Sequence, residues 1–145
     1  MLLADSAKYP VIRRVVTAIV YASAALATGN WVVYALWSEQ QYYGNWFVHT
    51  LLRIAVVGSV VFGSACVVSL FQLRYAVVLG SVAACLSWIY FAPFAAYLPW
   101  RDFVWLVRFR DHGDAQVAAV LFLLIATVYS LFEAWKWKRA RERSV

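Results

Sequence analysis

The stretch Ala115–Trp135, AQVAAVLFLLIATVYSLFEAW, contains no lysine or arginine, and its one carboxylate, Glu133, lies near its end. Coiled as a helix at about 1.5 Å per residue, such a segment is about 30 Å long, the thickness of a bilayer's hydrocarbon core. Lys136, Lys138, Arg139, Arg141 and Arg143 follow directly, the basic flank expected on the cytoplasmic side of a membrane span. This segment makes the chain a membrane protein and gives it an orientation.

Composition agrees. The 145 residues are 65% hydrophobic and 14% charged, whereas soluble domains average about 45–50% apolar and about 25% charged. A water-soluble core of this size cannot hide so much apolar surface, so lipid must cover it. The net charge of +6 reads as topology determinants beside anionic lipid and not as a nucleic-acid surface, because the basic residues flank apolar segments. Cys66 and Cys85 fall inside apolar runs and form no CxxC pair, which leaves a zinc or redox motif without support.

Three further spans precede the last one. Val15–Trp37 follows Arg13 and Arg14, with Met1–Pro10 as a short lead and Pro10 suited to a first helical turn. Its Ala18, Ala22, Ala25 and Gly29 form a seam of small residues, the kind that lets helix backbones approach closely in lipid. Thr50–Phe71 is interrupted only by Arg53 near its outer end and carries its own small residues, Ser59 and Gly63. An arginine so close to the interface can snorkel to the headgroups. Gln72–Arg74 is short enough for a tight inner hairpin, which makes its two flanking helices antiparallel neighbours. Tyr75–Tyr97 carries Gly80 and Ala84 as a small-xxx-small pair, with Pro93 bending its outer half and Pro99 ending it.

Between the third and fourth spans lies the segment 100–113, WRDFVWLVRFRDHG. Trp100, Phe103, Val104 and Val107 follow helical spacing while Arg101, Arg108 and Arg110 supply charge, a pattern that fits a helix lying in the outer interface. Asp114 is placed to cap the fourth helix. Counting basic residues fixes the topology expected: nine lie on the inner side (Lys8, Arg13, Arg14, Arg74 and the five of the tail) and four on the outer side (Arg53, Arg101, Arg108, Arg110), nine plus four accounting for all 13. Both termini are therefore expected in the cytoplasm, with a bacterial inner membrane as the natural setting. The fold expected is an all-α, single-domain, up-and-down bundle of four transmembrane helices.

Chemistry is scarce along these spans. None of the seven acids sits in the middle of one, and Glu133, one turn from an inner end, reads as an interfacial ion partner of Lys136. Ion-coupled transport needs an ionisable group near the midplane. The lack of one weighs against a small multidrug-type antiporter, which has four helices but depends on a buried Glu in the first. His49 and His112, both on the outer side with Asp114, form the one conceivable metal or haem site. The aromatic residues are one-sided: six of the eight tryptophans (Trp31, Trp37, Trp46, Trp88, Trp100, Trp105) map to the outer half. Tyr90, Phe94 and Tyr97 form a helical stripe beside Pro93, flanked by Trp88 and Phe91. Besides a headgroup belt, this surface fits a partner subunit, a lipid, a quinone or a pigment.

The reading that accounts for most of these features is a small, non-catalytic integral membrane subunit that packs against or stabilises a larger complex, such as a respiratory or photosynthetic one. A carrier of a lipophilic ligand, working through the aromatic groove, and a membrane enzyme using His49 and His112 are the alternatives.

Overall fold

The computed structural model describes residues 2–42, 46–95 and 112–143, and all the regular structure among them is helical. Helix α1 spans Leu2–Tyr42, α2 Trp46–Ser69, α3 Leu73–Ala95 and α4 His112–Glu142. Each contains a stretch long and apolar enough to cross a membrane: Pro10–Leu36, His49–Ser69, Leu73–Ala92 and Ala115–Glu142. Valines, isoleucines, leucines and aromatics such as Leu26, Val33, Val60, Val78, Val128 and Leu131 lie exposed along these stretches, a surface that belongs in lipid and not in water. The chain is an all-helical protein of the multi-pass membrane type. The interfacial segment expected at 100–113 lies almost wholly outside the described residues.

The first helix differs from the expectation at its start. It runs straight through Pro10 instead of beginning there. A proline within a helix removes one backbone hydrogen bond.

Residue pairs across the interfaces show that neighbouring helices alternate in direction. Thr28 meets Ser59 and Tyr21 meets Phe62, so α1 and α2 are antiparallel. Arg13, Thr17 and Tyr21 meet Glu133, Tyr129 and Ser130, which makes α1 and α4 antiparallel as well. Trp88 bonds Thr127 while Arg74 lies over Trp137, with the same result for α3 and α4. The α2–α3 turn is as tight as its length requires. The amides of Phe71 and Gln72 both bond the carbonyl of Val68, at 3.0 and 2.7 Å, and Ala76 N then bonds the carbonyl of Gln72 at 3.1 Å.

Close approach rests on small residues. The buried stripe of α1 is Thr17, Tyr21, Ala24, Thr28, Val32 and Ala35. Ala18, Ala22, Ala25 and Gly29 run one position further round and are half-buried beside it. A Cβ on Gly29 would stand 3.7 Å from Ser59 Cβ, an ordinary contact. Gly80 of α3 is different: a Cβ there would overlap the Tyr21 ring, and one on Gly58 would overlap the Ser87 hydroxyl. Ala84 is buried, whereas a Cβ on Gly63 would meet nothing within 4 Å.

Gly80→Ala is therefore expected to lower stability by about 1–3 kcal/mol, because the ring of Tyr21 cannot give way without leaving its pocket. Gly63→Ala should stay within about 0.5 kcal/mol of the parent. Reversible unfolding of both variants in mixed micelles measures the difference, and equal stabilities would contradict the packing described.

Candidate functional site

The densest polar constellation lies where α1 and α4 meet, at the end of the bundle that carries Arg13, Arg14, Arg74 and Lys136. Glu133 is 2% exposed, so its carboxylate is removed from solvent as thoroughly as the apolar core. An isolated charge in such a place costs several kcal/mol, and it persists only when paired. Arg13 supplies the pair through a direct Nη2 to Oε2 ion pair. Lys136 Nζ stands 3.6 Å from Oε1, one helical turn away as the sequence spacing expects. Among the described residues two cations thus face one carboxylate, which leaves this cluster with a net positive charge. The side chains of Arg13 and Lys136 remain 37% and 44% exposed.

Toward the middle of the bundle the cluster continues as a short hydroxyl ladder. Thr17 donates to the carbonyl of Arg13 at 2.7 Å, which leaves its oxygen to accept from the Tyr129 hydroxyl at 2.5 Å. One turn deeper, Ser130 donates to the carbonyl of Ala126 at 2.8 Å and accepts from the Tyr21 hydroxyl, also at 2.8 Å. The same device recurs between α3 and α4, where Thr127 bonds the carbonyl of Leu123 at 2.7 Å and accepts the Trp88 indole N–H at 2.9 Å. In each case a Ser or Thr spends its proton on its own helix and offers a lone pair to an aromatic donor on the next. The hydroxyls of Thr17, Tyr21, Tyr129 and Ser130 are all engaged in these bonds, so the constellation ties α1 to α4 and presents charge at one end.

The residues singled out from the sequence fall into several environments. Tyr90 and Phe91 are core residues, 3% and 0% exposed, with their rings edge-on and 4.9 Å apart. The Trp31 indole donates to the Tyr90 hydroxyl at 3.3 Å. Trp88 is half-buried on Thr127. Phe94, His112 and Asp114 sit on helix ends whose side chains lie outside the described residues, as do Tyr97, Trp100 and Trp105 altogether. His49 is half-buried on α2. Among the described residues no three His, Cys, Asp or Glu side chains gather as a metal site.

Two features of the structure were not visible in the sequence. The partner of Glu133 is Arg13, 120 positions away, and only the pairing of the first helix with the last reveals it. Asn30 lies exposed on α1, between Leu26 and Val33 on the same face. It makes no hydrogen bond within the described residues, and nothing in its neighbours' spacing marks it out.

Arg13→Gln should cost about 1–3 kcal/mol. Breaking a fully buried ion pair costs about 3–5 kcal/mol, and here Lys136 and partial exposure soften the loss. Adding Glu133→Gln to that variant removes the stranded charge and should recover much of the stability. A double-mutant cycle read by unfolding in micelles checks this, with a coupling near zero as the contrary result. No protein-family model, curated protein or solved structure matches the chain.

Proposed function

We propose that this protein is a small, non-catalytic integral subunit that packs against a larger membrane complex through the Leu26–Asn30–Val33 face of α1. The observation that carries the reading is Asn30. Gly29 beside it packs on Ser59, which is 10 residues from each end of the span His49–Ser69 (59 − 49 and 69 − 59). Asn30 thus presents an unpaired carboxamide inside the membrane-length stretch of α1, level with the middle of the α2 span and six residues from the end of α1's own span Pro10–Leu36 (36 − 30). Transferring an amide to hydrocarbon without partners costs roughly 2–7 kcal/mol. A helix of a neighbouring subunit with one polar side chain would supply the missing bonds, and such contacts are an established means of helix association in lipid.

The rest of the bundle supports a scaffolding role. The Thr17, Ser130 and Thr127 hydroxyls and the Tyr129, Tyr21 and Trp88 rings are engaged in bonds between its own helices, and Tyr90 and Phe91 serve as core. The distribution of basic residues, nine against four, supports cytoplasmic termini, and we place the protein in a bacterial inner membrane on that basis.

The test is site-specific photocrosslinking in native membranes with the probe at Asn30 and, as control, at Val128 on α4. A single discrete adduct from Asn30, absent from Val128, is expected. Asn30→Leu should weaken co-purification with the same partner by about tenfold, the equivalent of the roughly 1–2 kcal/mol assigned to an interhelical hydrogen bond. Lipid-only adducts at Asn30, or undiminished association of Asn30→Leu, would overturn the proposal. An adduct with a second copy of this chain would replace the hetero-complex by a homo-oligomer.

A further inference from the structure

The ion cluster at the α1–α4 seam opens onto a cleft of about 590 Å³, with Arg13, Glu133 and Lys136 at its head and Ile12, Val16 and Phe132 as its walls. The cleft adjoins a second, wholly apolar groove of about 440 Å³ along α4, formed by Leu124, Ile125 and Val128. Tyr129 and Phe132 line both. A charged head thus continues in one direction into an apolar surface groove along α4, a helix long and apolar enough to cross a membrane.

We infer that this cleft binds one anionic glycerophospholipid, its phosphate held between Arg13 and Lys136 and one acyl chain laid along Phe132, Val128 and Leu124. Charge comes first. Among the described residues Glu133 balances only one of the two cations, so the head of the cleft keeps one uncompensated positive charge for an anion. Hydrogen bonding agrees, since Arg13 Nε finds no acceptor among the described residues, the side chain as a whole stays 37% exposed, and an arginine fork suits phosphate oxygens. Lys136 lies over the Phe132 ring, its Nζ 4.2 Å from the centroid, at the junction of head and groove. Length is the third match. Leu124 is 12 residues from Lys136 (136 − 124), or about 18 Å along a helix, against about 15 Å for one leaflet of hydrocarbon. The groove therefore starts at headgroup depth and ends near the midplane, as an acyl chain does. The cluster sits at the basic end of the bundle, where anionic lipid concentrates in a membrane obeying the positive-inside rule.

Delipidated protein is titrated with phosphatidylglycerol or phosphatidylcholine of identical chains, or with inorganic phosphate, and bound species are counted by native mass spectrometry. One phosphatidylglycerol per chain should be retained in preference to phosphatidylcholine. Lys136→Gln should reduce that preference about fivefold, the equivalent of about 1 kcal/mol per basic residue, and Lys136→Arg should restore it. Val128→Trp, a change at an exposed position that fills the groove, should weaken both lipids. Both sites are on the exterior of the bundle, so these variants are expected to fold. Equal retention of the two lipids, binding of inorganic phosphate alone, or an unchanged preference in Lys136→Gln would each overturn the inference. Co-purification through Asn30 is on a different helix face and is unaffected by either result.

Discussion

Hydrocarbon supplies no hydrogen bonds, and that scarcity governs how this bundle is put together. A helix satisfies its own backbone within a span, but each polar side chain must find a partner in another part of the protein. The recurrent solution is a serine or threonine that donates to the carbonyl one turn back and accepts from an aromatic donor on the adjacent helix. Thr17 with Tyr129, Ser130 with Tyr21 and Thr127 with Trp88 all follow it. Each such bond is worth little by itself, on the order of 0.6 kcal/mol in membrane proteins. Their value lies in register, because the hydroxyl and the ring meet only when the two helices stand at one relative height and rotation.

The second constraint is that apolar side chains gain little by leaving lipid for one another. Close packing must supply the attraction, which explains why Gly80 receives the ring of Tyr21 and Gly58 the hydroxyl of Ser87. Tyr21 joins the two devices: its ring fills the notch at Gly80, faces Phe62 at 5.9 Å between centroids, and its hydroxyl reaches Ser130. A single side chain from α1 thereby touches each of the other three helices.

Electrostatics is pushed to the basic end. Glu133 is buried, yet it lies at the level of Arg13 and within a turn of Lys136, so its charge is compensated at the end of the bundle where basic residues gather. The ion cluster and the unpaired Asn30 therefore divide the exterior of the molecule. One marks an end with charge, and the other marks a lipid-facing stripe of α1 with an unmet demand for hydrogen bonds.

How much of this could be read in the chain follows from the kind of signal each feature leaves. The spans at 15–37, 50–71, 75–97 and 115–135 are local properties, since runs of apolar residues bounded by basic ones declare themselves, and the structure has a membrane-length helix at each. The hairpin between α2 and α3 was legible because so few residues admit only one connection. Side-chain roles were not legible in the same way. Tyr and Trp look alike in sequence whether they sit in a headgroup belt or donate across a helix interface, and Tyr90 and Phe91, candidates for an outer surface, are in the core. The small-residue seam of α1 lies one position round from its buried stripe because helix rotation, about 100° per residue, is set by neighbouring helices and not by the helix itself. The sequence by itself determined that this is an all-helical, membrane-type chain, because hydrophobicity and helix length are summed residue by residue. Only the tertiary structure decided that Arg13 would neutralise Glu133, that Tyr21 would lie on Gly80 and that Asn30 would face outward, because each depends on which helix stands beside which and how far it is turned.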